Sequence, residues 1–329
     1  MIKIKRLKEI VTLTLASLLI VGCIIVSFQN NVISFLFSIF IPILFAINVL
    51  LLIYCVIKRK LSLIIIVIIG FTMYFGLFNS FFQINFKESP TNTNVMSVLS
   101  FNVHNFYPDS DIDGVDEPIV NSIKERKADV ICFQEFSAIK YKKFKEYPYW
   151  FKTNIIAPNN SVMAIFSKYP IVNKNYIDFP NSPNGAMFID ILYKKQVVRI
   201  YNIHLQSFEF AISSYRTIVK KISKTIKLQK EQAQLILEHI KSFNGKVIIT
   251  GDFNSTQFSL PYYILRENRK DSYIEKGKGF GTTYELLNYP LRLDYILLDN
   301  SFEVVSHQNF NLKLSDHEPV FVKLRVIND

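Results

Sequence analysis

Acidic, amide and imidazole side chains follow hydrophobic runs at six places between residues 100 and 317. They are Asn102 in Ser-Phe-Asn, Glu135 in Gln-Glu, His204 in His-Leu-Gln-Ser, Asp252 and Asn254 in Gly-Asp-Phe-Asn, Asp294 in Leu-Asp-Tyr-Ile, and Asp316 and His317 in Ser-Asp-His. Burying such polar groups at the ends of buried strands costs free energy unless they converge on a site or reach water. Carboxylate and amide oxygens suit a hard cation such as Mg²⁺, and imidazoles can contact phosphate oxygens or be held by a carboxylate. The set predicts metal-assisted phosphoester hydrolysis.

Each motif alone has an ordinary structural explanation. Glu135 could be an exposed acid at a strand end, residues 251–254 an Asx-type turn, and residues 316–317 a loop ion pair. His239, in a helical pattern, and His307, in a loop pattern, are interpreted as structural or surface residues. Only the ordered combination points to chemistry.

The elements that must hold these residues are short β-type runs separated by turns. Strand patterns cover residues 95–101, 129–133, 162–167, 186–193, 197–204, 246–250, 292–298 and 319–324. Helical patterns cover 117–127 and 213–242. Many strands with few helices predict an α/β domain built as two packed sheets flanked by helices.

The ordered motifs resemble the endonuclease/exonuclease/phosphatase superfamily, over residues 95–326. This superfamily includes deoxyribonucleases, abasic-site endonucleases, neutral sphingomyelinases and inositol-polyphosphate 5-phosphatases. The resemblance implies a four-layer α/β/β/α sandwich and a hydrolase acting on phosphoester bonds with Mg²⁺, or Mn²⁺. It does not select one substrate.

The resemblance also implies which residues hold the metal. Glu135 is expected to be the main ligand, supported by Asn102, and Asp316 is expected to complete the acidic side of the metal. Position 104 is His, where some branches of the superfamily place a second metal-binding Asp. The number of metal ions, one or two, therefore stays open.

The remaining motif residues are implied to act on the phosphoester. Asp252 is expected to orient or deprotonate the attacking water, and Asn254 to hold a phosphoryl oxygen. His317 is expected to contact the scissile phosphate and to be fixed by Asp294. His204 resembles the histidine that nuclease and sphingomyelinase branches use near the leaving group.

Three uncharged apolar runs precede this domain, at Ile10–Phe28, Val32–Ile57 and Leu61–Phe82. Each has at least the length expected of a membrane-spanning helix. A cleaved signal peptide is the alternative for the first run, but two further runs follow it directly. The sequence therefore predicts three transmembrane helices in residues 1–84, a linker at 85–94 and the catalytic domain at 95–329.

Flanking charge predicts the orientation of these helices in the cell membrane. Basic residues precede the first run and also occupy 58–60, whereas the loop at 29–31 is uncharged. The positive-inside rule then places the N-terminus in the cytoplasm and, after three crossings, the catalytic domain outside it.

Charge within the domain bears on the substrate. The net charge of the chain is +11, and Arg216, Lys220 and Lys224 form one stripe of the predicted helix at 213–242, opposite Ile218, Ile222 and Ile226. The stripe is either a solvated face or a surface for a nucleic-acid backbone or anionic lipid head groups. The glycine-rich residues 277–281 form either a turn close to a ligand or a plain connecting loop.

Three functions remain open from the sequence. The favoured hypothesis is a membrane-anchored, extracytoplasmic phosphoester hydrolase acting on a lipid-linked or membrane phosphate beside the lipid bilayer. The first alternative is an extracytoplasmic endonuclease or exonuclease acting on nucleic acid. The second is a catalytically silent binding or scaffold protein, which the intact set of acids and histidines argues against.

Overall fold

In a computed structural model, the chain is described over residues 2–79, 81–85, 95–106, 116–137, 143–153, 161–208 and 214–327. Most of the predicted linker therefore lies outside the described residues. The α-helices within them are α1 (Ile2–Phe28), α2 (Val32–Ile57), α3 (Leu61–Leu77), α4 (Asp116–Glu125), α5 (Tyr215–Lys241), α6 (Leu260–Arg266) and α7 (Ser272–Lys276).

The β-strands carry the candidate site. They are β1 (Gln83–Ile84), β2 (Met96–Asn102), β3 (Val130–Gln134), β4 (Tyr149–Lys152), β5 (Ala164–Ser167), β6 (Ile171–Asp178), β7 (Gly185–Tyr193), β8 (Gln196–His204), β9 (Lys246–Asp252), β10 (Lys270–Asp271), β11 (Lys278–Gly279), β12 (Tyr284–Leu286), β13 (Tyr289–Leu291), β14 (Asp294–Leu298), β15 (Phe302–Asn309) and β16 (Val320–Val326).

Two six-stranded sheets pack face to face, in the orders β15-β16-β2-β3-β5-β4 and β10-β14-β9-β8-β7-β6. An aliphatic core that includes Val98, Ile200 and Ile248 fills the space between them. Helix α4 covers the outer face of the first sheet, and α5 and α6 cover that of the second. These layers confirm the predicted α/β/β/α sandwich.

Each sheet contains one parallel pair with a helix in its crossover. Strands β2 and β3 are parallel and joined through α4, and β8 and β9 are parallel and joined through α5. Their carboxyl ends meet at one edge of the sandwich, as βαβ geometry requires. The polar residues that end these strands are therefore brought together.

The strands missing from the sequence prediction lie mostly at sheet edges. The edge strands β4, β6 and β15 have mixed or exposed burial patterns, with Asn173, Lys174 and Asn175 along β6. Polar residues protect an edge from pairing with other chains, but they also remove the apolar signature of a strand.

The prediction of three membrane-spanning helices needs correction. Residues Arg6–Phe28 and Val32–Ile57 are long and apolar enough to cross a membrane, but α3 ends at Leu77 after 17 residues. At 1.5 Å per residue it is about 25 Å long, shorter than a hydrocarbon core of about 30 Å. The chain is extended at Phe78, so this helix ends before Phe82, where the predicted span ended.

A proline fixes where α2 meets the globular domain. Pro42 has no N–H, so the main-chain oxygen of Ser38 loses its helical partner. The Thr256 hydroxyl donates to that oxygen at 3.3 Å, and the Tyr289 hydroxyl donates to the next carbonyl, that of Ile39, at 2.9 Å. The helix and the domain are therefore joined at this break in the helical hydrogen bonding.

The segment after α3 is attached to the same side of the domain. Strand β1 pairs with β11, and the Tyr273 hydroxyl donates to the main-chain oxygen of Phe81 at 3.0 Å. Gly281 adopts φ +63°, and a Cβ there would lie 2.4 Å from the Tyr273 ring. The glycine-rich stretch therefore serves local packing and docking of the N-terminal helices.

Candidate active site

Strand register places three of the predicted site residues side by side across one sheet. His204 pairs with Asp252 across β8 and β9, and Asp252 pairs with Asp294 across β9 and β14. Directly paired residues point to the same face of a sheet. Each of the three side chains is almost completely buried, so the row is a preformed polar cluster rather than a set of surface acids.

The other sheet supplies Asn102 and Glu135 from the ends of β2 and β3. The Asn102 amide donates to Glu135 Oε1 at 3.3 Å and to Asp252 Oδ2 at 3.1 Å, and so links the two sheets. Glu135 adopts a left-handed backbone with φ 50° and keeps 27% of its side chain exposed. A strained backbone of this kind is common at functional sites, and the exposure leaves the carboxylate accessible to a ligand.

His317 is held between two carboxylates. Its Nδ1 lies 2.8 Å from Asp294 Oδ2 and its Nε2 lies 3.6 Å from Asp252 Oδ2. Burial lowers the pKa of His317, but the charges of Asp294 and Asp252 outweigh burial and raise this pKa well above its usual value. The two carboxylates therefore favour the protonated form of the ring, which lines the cavity.

Asp252 lies at the centre of the site. Burial raises its pKa to about 6, against the opposing charge of His317. Its Oδ1 accepts a hydrogen bond from the Asn254 main-chain N–H at 2.7 Å. The local turn proposed from the sequence for residues 251–254 is therefore present, and it directs Asp252 Oδ2 towards Asn102 and the two histidines.

Asn254 is oriented by its own contacts. Its backbone is left-handed at φ 47°, and its amide donates to the main-chain oxygen of Leu205 at 3.0 Å and to Ser207 Oγ at 3.3 Å. Asn254 and Ser207 also line the same cavity as Asp252. The structure therefore brings Asn254 to the site as predicted.

His204 has one ring nitrogen engaged and one directed at the carboxylates. Its Nδ1 lies 3.2 Å from Ser161 Oγ. Its Nε2 lies 3.7 Å from Glu135 Oε1 and 3.6 Å from Asp252 Oδ2, and this buried atom has no hydrogen-bond partner among the described residues. A buried polar atom without a partner is a position where a ligand atom or water is favoured.

Asp316 lines the same cavity as Glu135 and Asp252. His104 Nδ1 lies 3.1 Å from its Oδ1, and Ser315 fastens this loop to the main-chain oxygen of Asn102 at 3.0 Å. Burial raises the pKa of Asp316, but the hydrogen bond from His104 and the charge of His317 outweigh it, and this pKa is lowered. The histidine at position 104 therefore supports an acid of the site.

The donor set fits a hard divalent cation. Glu135, Asp252 and Asp316 line one cavity of about 230 Å³, and carboxylate oxygens are the ligands that Mg²⁺ prefers. Asp252, Asp294 and His317 also offer one ligand atom each within 4.8 Å of one another. Because Asp294 and His317 already bind each other, the more exposed side of the site at Glu135 is better suited to the cation.

Several residues that shape the site carried no usable signal in the sequence. Thr283 Oγ1 accepts from the main-chain N–H of Asp294 at 3.1 Å, and the Tyr284 ring packs 5.0 Å from that of His317. The Gln134 amide donates to Asn202 Oδ1 at 2.5 Å, below the site between the sheets. In the sequence, Asn202 is recognisable only as an amide residue within an otherwise apolar strand. That feature is the one signal that could have indicated its buried hydrogen bond.

The cavity has a wall that does not come from the globular domain. Gln29 and Asn30, from the turn between α1 and α2, line it together with Ser34 and Phe35 of α2. The ring of Phe35 stacks on Phe208, with centroids 4.3 Å apart. The hydrophobic N-terminal helices are thus part of the candidate active site, which the sequence analysis did not anticipate.

The two histidines interpreted as structural or surface residues have ordinary partners. His239 Nδ1 lies 2.7 Å from the Tyr201 hydroxyl on the far side of the second sheet. His307 lies in β15 rather than in a loop, with Nδ1 3.0 Å from Ser272 Oγ and Nε2 2.9 Å from Asn309 Oδ1.

The sandwich, and the convergence of acids and histidines at one edge of it, point to a class of hydrolase that acts on phosphoester bonds. The chain matches the family model described as the endonuclease/exonuclease/phosphatase family over residues 99–317. This protein therefore belongs to the endonuclease/exonuclease/phosphatase family, as its motifs predicted. Members of this family are hydrolases acting on phosphoester bonds. No curated protein matches the chain.

Solved structures share the fold at low sequence identity. D. rerio TDP2 complexed with a single-strand DNA product is 15% identical, with a TM-score of 0.55 over 70% of this chain and 99% of that one. A Bacteroides thetaiotaomicron mannosyl-6-phosphatase is 20% identical, with a TM-score of 0.52 over 70% and 99%. A family protein from Leptotrichia buccalis is 18% identical, with a TM-score of 0.54 over 70% and 99%. These likenesses concern the fold alone.

Proposed function

We propose that this protein is a membrane-anchored, extracytoplasmic, divalent-metal-dependent phosphoester hydrolase. The observation that carries the proposal is the convergence of Glu135, Asp252 and His317 on one cavity, with His204 Nε2 buried 3.7 Å from Glu135 and 3.6 Å from Asp252. Glu135, Asn102 and Asp316 would hold Mg²⁺, or Mn²⁺. When bound, the cation polarises a phosphoryl oxygen and neutralises charge that develops on it.

The remaining residues have distinct roles in the proposed reaction. Asp252 orients the attacking water and accepts its proton, while Asn254 positions a phosphoryl oxygen. His317, kept protonated by Asp294, donates a hydrogen bond to the phosphate as negative charge grows. His204 lies with its free Nε2 beside Glu135 and Asp252, where it can donate to the leaving group.

The arrangement of the helices supports an extracytoplasmic domain. The globular domain packs against the part of the bundle near the 29–31 turn, through Thr256 and Tyr289. The basic residues 58–60 lie at the other end of α2, some 20 residues or about 30 Å away. Helix α3 leads from these basic residues back to Phe78, whose ring centroid lies 5.4 Å from that of Phe258 in the domain. Because basic ends stay in the cytoplasm, these contacts support an extracytoplasmic position of the domain.

The direct test is phosphoester hydrolysis by the full chain in detergent micelles. Bis(p-nitrophenyl) phosphate and p-nitrophenyl phosphate serve as diester and monoester reporters, each with Mg²⁺, with Mn²⁺ or with EDTA. We expect cation-dependent release of nitrophenol that Glu135→Gln abolishes. Absence of cation-dependent turnover of either ester would favour the silent scaffold and overturn the proposal.

One observation favours a nucleic acid as the substrate. Arg216, Lys220 and Lys224 are exposed along α5, and Ile226 and Gln229 of the same helix line the cavity. A backbone bound along this exposed face would run beside the cavity that Ile226 and Gln229 line from the buried face of the same helix. Reversal of the three charges to Glu should then abolish the cleavage of single-stranded DNA or RNA, and wild-type cleavage should weaken steeply with salt.

A further inference from the structure

A second cavity, of about 650 Å³, runs between α2 and the globular domain. Pro42, Ile43 and Ala46 form its wall on α2, and Phe82, Phe258 and Phe280 form much of the opposite wall. We refer to this cavity as the apolar groove. Its α2 wall lies in a helix long and apolar enough to cross a membrane, so the groove is placed to open towards hydrocarbon chains.

The apolar groove meets the catalytic cavity. The two share Ser38, Ile39, Thr256 and Leu291 in their linings. These are also residues of the junction where Thr256 binds the carbonyl that Pro42 leaves without a helical partner. The two cavities therefore adjoin at this junction, one lined by carboxylates and His317 and the other by mostly apolar side chains.

Apolar side chains are also exposed on the domain, at Phe280 in the groove lining and at Leu287 outside it. Phe280 is 53% exposed and contacts Phe82 edge-on, with ring centroids 4.9 Å apart. Leu287, at the tip of the β12–β13 hairpin, is 94% exposed. Because soluble surfaces avoid contiguous apolar patches, this side of the domain fits contact with lipid rather than with water.

We infer that the apolar groove binds the hydrocarbon chain of a lipid whose phosphate head group lies in the catalytic cavity, an inference that rests on the proposed function. A single groove accommodates one extended chain, and the adjoining catalytic cavity provides the His317 imidazole for the phosphate. The ligand class is therefore a long-chain lipid phosphate drawn from the bilayer in which the anchor resides.

The test compares lipids with the same head groups lacking the chain. Oleoyl lysophosphatidic acid is paired with glycerol phosphate as a monoester, and oleoyl lysophosphatidylcholine with glycerophosphocholine as a diester. A polyprenyl phosphate tests a branched chain. We expect the full chain in detergent to prefer the lipid member of at least one pair by about tenfold or more in kcat/KM, because each buried methylene adds to binding.

A matched pair of variants then tests the groove, one that blocks it and one that serves as the control. Ile43 and Ile53 both lie on α2 and are 39% and 53% exposed, but only Ile43 lines the groove. Ile43→Trp should reduce the preference for the lipid by about tenfold, mainly through KM, whereas Ile53→Trp should retain wild-type values. Ala46→Trp provides a second blocking substitution, and a monodisperse peak with an unchanged Tm verifies folding of each variant.

The outcomes separate the two hypotheses. If nitrophenyl esters are hydrolysed but no lipid is preferred, or if Ile43→Trp and Ala46→Trp keep the full preference, the groove does not bind the chain and the proposed function stands. If no ester of any kind is hydrolysed with Mg²⁺ or Mn²⁺, the proposed function fails and the inference fails with it.

Discussion

The Nδ1 atom of His317 lies 2.8 Å from Oδ2 of Asp294, although the two residues are 23 positions apart in the chain. Asp294 begins β14, and His317 precedes β16 in the other sheet. The hydrogen bond therefore joins the two halves of the sandwich at the catalytic edge. It fixes the ring so that Nε2 faces Asp252.

This pair predicts a non-additive loss of activity. His317→Ala should lower kcat with reporter phosphoesters by about 10²- to 10³-fold, because it removes a donor aimed at developing charge. Asp294→Asn should also lower kcat. The fold-loss of kcat in the double variant should be much smaller than the product of the two single-variant fold-losses. His239→Ala is the control, and fully multiplicative losses would show that the two residues act independently.

Glu135 is predicted to be essential because of its charge. Glu135→Gln retains the side-chain volume but removes a charge that a hard cation needs, so kcat should fall by about 10³-fold or more. Circular dichroism should remain that of the wild type. Glu125→Gln, at an exposed position on α4, should leave turnover intact. Near-normal activity of Glu135→Gln at limiting Mg²⁺ would remove Glu135 from the metal site.

The proposed orientation predicts the behaviour of fused reporters. A reporter that is active only in the cytoplasm should be silent after Asp329, and one that is active only outside it should give signal there. A fusion in the 58–60 turn should show the opposite pattern, because this turn carries the basic residues. Cytoplasmic activity of the Asp329 fusion would place the catalytic domain inside the cell.

Gly251 is predicted to be irreplaceable for a steric reason. Its φ is +133°, and a Cβ at this position would lie 1.9 Å from the main-chain oxygen of Ile203 on β8. Gly251→Ala must therefore separate β8 from β9 next to Asp252, and we expect a loss of stability of at least about 1–3 kcal/mol. Gly76→Ala is the matched control because a Cβ there meets nothing within 4 Å. Tm values in detergent, followed through the fluorescence of Trp150, would show the difference.

His307 predicts a pH dependence of stability separate from catalysis. Burial lowers its pKa to about 4, below the usual 6.5, so between these values the unfolded chain binds a proton that the folded chain does not. Stability is therefore full above pH 6.5 and is lost as pH falls towards 4, by about 2 kcal/mol at pH 5. His307→Gln should show a smaller decrease in Tm between pH 7.5 and 5. An equal decrease would mean that other groups cause it.

The predicted site residues could be found from the sequence because strand ends define them. Asp252, His204 and Asp294 each stand at an end of an apolar run, and pairing in a sheet then brings them into one row. Local patterns are enough for this inference, because the side chains at the ends of neighbouring strands are necessarily close. The four-layer sandwich followed from the same alternation of runs.

The wall contributed by α1 and α2 could not be predicted in this way. Thr256 and Ser38 are 218 positions apart, and nothing in the local sequence pairs a threonine hydroxyl with one particular helical carbonyl. Pro42 is the relevant signal, because it marks the carbonyl four residues earlier as free. A proline alone, however, does not indicate which group will bind that carbonyl.

The turn between α1 and α2 forms part of the cavity wall, and this limits how the domain can act away from the cell surface. Gln29 and Asn30 lie across the cavity from residues more than 200 positions later, such as Asp252. A proteolytic cut after α3 would free a globular domain that keeps every acid and histidine of the site. This domain would lack one side of its own binding cavity, so the cut would change or end its activity rather than merely release it from the proposed membrane anchor.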